Sequence, residues 1–308
     1  MRQAEASRLS PFTALIYLLL LIVLGTVVFT IIALLIALPL FDVSIGSFAG
    51  GIDVNNIPFL KLIQIISTGL GTFIVPAFLF ARIESSRPVS YLKLDTITPG
   101  KLFLLTALLM IVSGPFLEWT VSLNKQMHLP QFLKGIEQWM RIKEDELALL
   151  TEKLLEMKSP LDFGINLLMI AILPAIGEEL IFRGCLQRIL AEWLRNHHAA
   201  IWISAIFFSA IHLQFYGFLP RMLLGALFGY LFYWSKNLWI PILAHFINNG
   251  VAVIMAYLYQ LNGKALDINE NTYTPNPALY VGSAIFAGLL LHTFYRHTCQ
   301  NKELRLDE

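Results

Sequence analysis

The first long apolar run of the chain reads ALIYLLLLIVLGTVVFTIIALLIAL, from residue 14 to residue 38, and contains no charged side chain. An α-helix rises about 1.5 Å per residue, so a helix of this length crosses the roughly 30 Å hydrocarbon core of a bilayer. The run is longer than the roughly 7 to 15 apolar residues of a cleavable signal peptide, and no small-residue cleavage site follows it. We therefore predict a retained transmembrane helix and a membrane-embedded fold.

Seven further apolar runs follow, and they predict an all-α, polytopic transmembrane helix bundle of about eight spans. These runs cover residues 59–80, 102–117, 161–182, 200–213, 222–234, 238–259 and 278–295. The runs at 200–213 and 222–234 are shorter than the roughly 20 residues that a free crossing needs, so we expect them to be buried in the bundle or to border a thinned or wetted region. Hydrophobic residues make up 56% of the chain and charged residues 14%, which excludes soluble enzymes, disordered regulators and disulfide scaffolds.

The charges of the chain are balanced overall but unevenly distributed over the connections between spans. Lys and Arg number 22 against 21 Asp and Glu, so we expect no nucleic acid partner. Thirteen Lys and Arg lie in connections on one side of the membrane, three lie in short connections on the other, and six lie in the long segment between the third and fourth spans. Because cytoplasmic loops carry the excess, the count predicts a multi-pass protein of the cell membrane with both termini in the cytoplasm and the lipid bilayer as partner.

The long segment between the third and fourth spans contains an amphipathic helix, which we predict from Gln131 to Lys158. Its apolar residues near one face are Leu133, Ile136, Met140, Leu147, Leu150 and Leu154. We expect this helix to lie on the outer membrane interface or to cap the bundle. A solvated connector without chemistry is the alternative.

Two adjacent glutamates lie at membrane depth in the sequence PAIGEELIFRG, residues 174–184. A charge at that depth costs about 2.5 to 3.5 kcal/mol, so Glu178 and Glu179 are candidates for a functional role. Neighbouring helix positions differ by about 100°, so the two carboxylates point in different directions. Glu179 and Arg183 have the i, i+4 spacing of a supporting ion pair, which leaves Glu178 free to take a proton from water. Alternatively, both acids pair with Arg183 and Arg188 at the cytoplasmic boundary.

Two later spans carry further polar residues at helical spacing. His212 follows Phe208 by four residues at the end of the fifth span, where a histidine can also be an ordinary interfacial residue. In the seventh span His245 and Asn249 are one turn apart and share a face, so an imidazole and a carboxamide can reach one target. A hydrogen-bond clamp between helices is the alternative role for this pair. No His-Glu-x-x-His sequence occurs, which excludes the common zincin helix.

Three motifs therefore occur in order along the chain: Glu-Glu-x-x-x-Arg at 178–183, Phe-x-x-x-His at 208–212 and His-x-x-x-Asn at 245–249. With them the sequence resembles the CAAX protease and bacteriocin-processing family (CPBP, or abortive-infection family) of intramembrane proteases, which is related to the type II CAAX prenyl endopeptidases. The resemblance covers roughly residues 161–259. It implies hydrolysis of a peptide bond within or near the membrane.

The resemblance also implies a role for each motif residue. Glu178 and His212 would act on the attacking water, and His245 and Asn249 would stabilise the oxyanion. Members of the family have also been called metalloproteases, and Glu178, His212 and His245 would then be the three ligands of a catalytic zinc. Spacing leaves both mechanisms open. The metal-free one is preferred, because Asn249, one turn from His245, is better explained as its partner donor.

These observations together predict an intramembrane endopeptidase acting on a membrane-associated peptide or protein, with a C-terminally lipidated CAAX-type tail as a substrate that the family implies. We expect one integrated membrane domain: residues 1–160 supply three spans and the outer helix, and residues 161–308 supply a catalytic core of five spans. One alternative is a proton-coupled transporter or channel with Glu178, His212 and His245 as a relay, although the two halves show no matching pairs of broken helices. Another is a non-proteolytic immunity or scaffold protein that binds peptides with the same site.

Overall fold

The computed structural model describes residues 8–43, 56–263 and 276–303, and every regular element in these ranges is a helix. In this part of the chain seven helices are long and apolar enough to cross a membrane, and an eighth apolar helix is shorter. Apart from two short helical turns at Pro88–Tyr91 and Gln131–Leu133, the helices in chain order are α1 (Pro11–Leu40), α2 (Ile57–Glu84), α3 (Gly100–Lys125), α4 (Lys134–Leu154), α5 (Pro160–Leu194), α6 (His197–Ala210), α7 (Phe215–Ser235), α8 (Trp239–Leu261) and α9 (Pro277–Glu303). The predicted all-α bundle of about eight spans is confirmed.

Helix α5 is longer than the fourth predicted span, because its charges are neutralised inside the protein. The prediction ended this span near Phe182, just after Glu178 and Glu179 interrupt the apolar pattern, whereas the helix continues to Leu194. Glu179 is fully buried and forms an ion pair with Arg183, which is 1% exposed. Since the two charges satisfy each other, neither needs water, and the helix does not end at them.

The prediction that residues 222–234 fall short of a membrane crossing is wrong, because α7 begins at Phe215 and has 21 residues. Arg221, which the prediction placed in the preceding connection, lies inside the helix. Its Nη2 donates to Gln214 Oε1 (2.5 Å), so a protein partner takes the place of water at this charge. Helix α6 is short, at 14 residues, and it ends two residues before His212, which lies in the following turn.

Two widened turns flank the glutamates of α5. Pro174 lacks the N–H that would bond the carbonyl four residues earlier, and just before it Leu173 N donates to Leu168 O, five residues back. Beyond the glutamates, Gln187 N donates to Phe182 O with the same five-residue spacing. Wider turns of this kind are frequent at functional sites. The two glutamates therefore lie on a short regular segment between two irregular ones.

Helix α4, which we predicted to lie on the outer interface, ends at Leu154, before the predicted end at Lys158. The residues that follow are drawn inward, since Leu155 and Met157 are buried against α8. Gln260 of α8 bonds the backbone of both, with its Nε2 donating to Leu155 O (2.9 Å) and its Oε1 accepting from Met157 N (2.7 Å). These contacts fix a turn in place of further helix. None of the residues of α4, all of which the structure describes, is buried.

Helix α4 contacts the first turn of α7, which follows the turn that carries His212. Glu144 Oε2 accepts a hydrogen bond from the backbone N–H of Tyr216 (3.3 Å). The guanidinium of Arg141 lies 4.6 Å from the centroid of the Tyr216 ring, in a cation–π contact. Helix α4 is therefore in direct contact with the segment that begins α7.

Candidate active site

The structure brings the predicted site residues together in one cluster inside the bundle. They come from three elements: α5 carries Glu178, Glu179 and Arg183, the turn after α6 carries His212, and α8 carries His245 and Asn249. Two groups of contacts can be distinguished in the cluster. One is a bonded network around Glu179, and the other is the pair formed by Glu178 and His212.

Glu179 is the centre of the bonded network. Its Oε1 accepts hydrogen bonds from Arg183 Nη1 (2.8 Å) and from His245 Nδ1 (2.9 Å), and the histidine side chain is 5% exposed. The ion pair that the i, i+4 spacing predicts is present. The bond to His245 joins α5 to α8 and was not predicted, because a sequence pattern gives distances within one helix only.

Arg183 joins three helices around the site. Its Nη2 donates to the backbone oxygen of Gly225 in α7 (2.8 Å), and its guanidinium lies 4.7 Å from the centroid of the Phe208 ring in α6. A Cβ at Gly225 would lie 3.2 Å from both Cα and Cβ of Ala205, so glycine allows α7 to approach α6 closely. The arginine is thus held by contacts with the bundle and supports the position of Glu179.

The hydrogen bonds of His245 assign its protons. A carboxylate can only accept, so Nδ1 carries the proton that is donated to Glu179, and Nε2 of the neutral ring is then an acceptor. Asn249 Nδ2 donates to this Nε2 (3.2 Å). His245 and Asn249 therefore share a face, as their spacing predicts, but they bond each other. To donate to a substrate oxygen, Nε2 must itself gain a proton, which would be the second on the ring, and its hydrogen bond with Asn249 must break.

Asn249 also compensates for a break in the backbone bonding of α5. In a regular helix the carbonyl of Ile170 would accept from the N–H of residue 174, and Pro174 has none. Asn249 Nδ2 donates to that carbonyl (3.0 Å), and its Oδ1 accepts from Asn248 Nδ2 (3.0 Å). The hydrogen-bond clamp that was the alternative role for this motif is therefore present between α5 and α8.

Glu178 and His212 face each other without a direct hydrogen bond. Glu178 Oε2 lies 4.0 Å from His212 Nε2, is buried, and has no hydrogen-bond partner among the described residues. His212 Nδ1 donates to Phe208 O (2.8 Å), so Nε2 of the neutral ring is an acceptor. A water about 2.8 Å from both acceptors would see them at an angle of about 90°, close to the angle between its own O–H bonds. The spacing therefore suits one water held by two acceptors.

The zinc alternative does not fit this arrangement. A zinc site needs free donor atoms that converge at about 2.0 to 2.2 Å from the metal. Of the three proposed ligands, His245 has both ring nitrogens engaged, one with Glu179 and one with Asn249. Over residues 8–43, 56–263 and 276–303, no three His, Cys, Asp or Glu side chains are placed to hold a metal ion. No step of the reaction is therefore assigned to a metal.

Comparison with known proteins places the site inside a recognisable segment. Residues 160–251 match the family described as type II CAAX prenyl endopeptidase Rce1-like. The uncharacterized protein YpbD of Bacillus subtilis (strain 168) is 29% identical over 90 residues, which is 28% of this chain and 43% of YpbD, so the match covers less than half of that relative. No solved structure matches the chain. In the segment that holds every residue of the site, the chain is similar to the Rce1-like family of CAAX prenyl endopeptidases, as its motifs predicted.

Proposed function

We propose that this protein is an intramembrane endopeptidase in which Glu178 and His212 act on the attacking water. The observation that supports this role most strongly is the pair of acceptors, Glu178 Oε2 and His212 Nε2, which lie 4.0 Å apart inside the bundle. The similarity of residues 160–251 to a family of endopeptidases supports the class of reaction.

In this mechanism water adds across a peptide bond. A water that donates to both acceptors has its lone pairs directed away from them, toward a substrate carbonyl carbon. Glu178 takes a proton as the water oxygen bonds that carbon, while His212 orients the water. Glu178 then returns the proton to the nitrogen that leaves, so the carbonyl carbon gains the hydroxyl group and the amine gains the hydrogen.

The negative charge that develops on the carbonyl oxygen requires donors. We assign this role to Asn249 and to the doubly protonated ring of His245. The ring takes a proton from solvent at Nε2 when substrate is bound, and His245 and Asn249 then exchange their mutual hydrogen bond for bonds to that oxygen. Glu179, bonded to Nδ1, keeps the imidazole ring of His245 in place during the exchange. Catalytic bonds of this kind tighten only in the complex with substrate.

As substrate we propose a membrane-associated peptide or protein with a C-terminally lipidated tail of the CAAX type. The support is the description of the matching family, type II CAAX prenyl endopeptidase Rce1-like. A site between membrane helices suits such a substrate, because the lipid holds the peptide at the bilayer.

The proposal is tested by comparing membrane peptides from cells that express the wild type or the Glu178→Gln variant. We expect uncleaved precursors to accumulate with the variant, because glutamine keeps the shape of the side chain and removes the proton acceptor. Glu192→Gln is the matched control, since Glu192 is an exposed glutamate of the same helix. Peptide profiles that do not differ between wild type and Glu178→Gln would contradict the proposal.

A further inference from the structure

Arg221, in the first turns of α7, is a charged residue that the sequence motifs do not include. Its Nη2 donates to Gln214 Oε1 (2.5 Å), which holds the guanidinium against the turn before α7. Gly217 provides the space, because a Cβ there would lie 3.1 Å from Nη2 and 3.4 Å from Nη1 of the arginine. The position of the guanidinium is therefore fixed by the local chain.

The other terminal nitrogen of this guanidinium is unsatisfied. Arg221 Nη1 is buried and has no hydrogen-bond partner in the part of the chain that the structure describes. Its one side-chain bond goes to a neutral amide, and none of the ion pairs between described residues includes Arg221. Leaving a buried donor of a charged group without a hydrogen bond costs free energy. Such a nitrogen is suited to an anionic oxygen from outside the chain.

The surroundings of Arg221 connect it with the catalytic pair. It interacts electrostatically with Glu178 and with His212, and its stronger carboxylate interaction is with Glu144 of α4. Glu144 bonds the first turn of α7, and Gln214 directly precedes that turn. The guanidinium is therefore within electrostatic range both of Glu144 and of the pair formed by Glu178 and His212.

We propose that Arg221 binds the free C-terminal carboxylate of the substrate and so directs cleavage to a peptide bond near a chain end. This inference rests on the proposed endopeptidase function. A carboxylate matches the planar guanidinium, whose buried Nη1 has no hydrogen-bond partner among the described residues. It would also compensate a charge that no described carboxylate contacts directly.

The test uses a fluorescent prenylated peptide that ends in a free carboxylate, and the same peptide as its C-terminal amide. We expect the wild type to have a KM for the acid at least tenfold below that for the amide. Arg221→Gln should raise the KM of the acid by about 10- to 100-fold, remove the preference and leave kcat little changed, because a charge-assisted bond of this kind is worth about that factor. Arg221→Lys should keep part of the preference.

Arg141→Gln is the matched control, because Arg141 contacts the first turn of α7 through the Tyr216 ring and carries no assigned role in the reaction. We expect it to leave the preference for the acid unchanged. The proposal is overturned if Arg221→Gln leaves the ratio of the two KM values as in the wild type. A fall in kcat with that ratio preserved overturns it equally, since Arg221 would then act on the reacting bond.

A binding measurement separates this inference from the proposed function. The acid and amide peptides are titrated into the Glu178→Gln protein and into the Glu178→Gln, Arg221→Gln double variant, and fluorescence anisotropy reports the bound fraction. We expect acid-selective binding that the second substitution removes. If the wild type cleaves neither peptide, the proposed function fails, but the binding measurement still decides whether Arg221 binds the carboxylate. Equal binding of both peptides to the Glu178→Gln protein overturns the proposed role of Arg221.

Discussion

Replacing Glu179 with glutamine is expected to destabilise the bundle, because it leaves a buried positive charge without its partner. Glu179 is 0% exposed and Arg183 is 1% exposed, and the atoms that pair are 2.8 Å apart. Glutamine has nearly the same shape and still offers one carbonyl oxygen. The bond from Arg183 to Gly225 O remains in the variant, but a neutral acceptor replaces the carboxylate.

The size of the effect follows from the burial of the pair. Removing one partner of a buried ion pair costs about 3 to 5 kcal/mol. Because glutamine still accepts a hydrogen bond, we expect the lower end, about 3 kcal/mol. At about 2 to 3 °C per kcal/mol for a large domain, this free energy lowers Tm by roughly 6 to 9 °C.

The measurement is thermal unfolding of the purified variants in lipid nanodiscs. Glu178→Gln is the matched control, since Glu178 is the adjacent buried glutamate and its Oε2 bonds no described side chain; its Tm should stay close to that of the wild type. Adding Arg183→Met to Glu179→Gln should recover much of the loss, because the double variant no longer buries an unpaired charge. Equal Tm values for the two glutamine variants would refute the assignment of Glu179 to the structural network.

Three further predictions concern the clamp, the outer helix and the topology. Asn249→Ala should lower the free energy of unfolding by about 1 to 3 kcal/mol, because the carbonyl of Ile170 in α5 loses the donor that Asn249 supplies. Adding Pro174→Ala should recover part of that loss when the double variant is denatured. Losses that simply add in the double variant would contradict the clamp. Hydrogen bonds from an arginine one turn along the helix and from a histidine lower the pKa of Glu137 to about 2, so its stabilisation of α4 should be complete above about pH 4.5 and lost as the pH falls toward 2. Hydrogen exchange in α4 measures this loss, and an onset already near pH 6 would count against it. Single cysteines at the exposed positions Ser86 and Lys158, in a cysteine-free background, should label from opposite sides of the membrane, and labelling from one side would overturn the eight-span topology.

Contacts within one helix could be predicted from the sequence. Side chains four residues apart lie on the same face of a helix, so their contact follows from spacing alone. The pairs Glu179 with Arg183 and His245 with Asn249 are both in contact. The number of membrane helices could be predicted for a similar reason, because the length of an apolar run is a local property.

Contacts between helices could not be predicted in this way. The bond between Glu179 and His245 joins residues 66 positions apart, and it depends on how α5 and α8 pack. The sequence analysis misplaced the end of the span in α5 and the start of the span in α7. In each case a charged side chain, Arg183 or Arg221, has a hydrogen-bond partner inside the protein. A hydropathy pattern counts such a residue as exposed to water, because it contains no information about the partner.

The central claim, that Glu178 is the proton acceptor of a peptide hydrolysis, is tested most directly by turnover in a purified system. Wild type and Glu178→Gln are reconstituted in lipid vesicles with a quenched fluorescent prenylated peptide, and both are first shown to have the same Tm. We expect kcat of the variant to fall by about 10² to 10⁴, the contribution of a general base. A folded Glu178→Gln protein that cleaves the peptide at the wild-type rate would contradict the assignment.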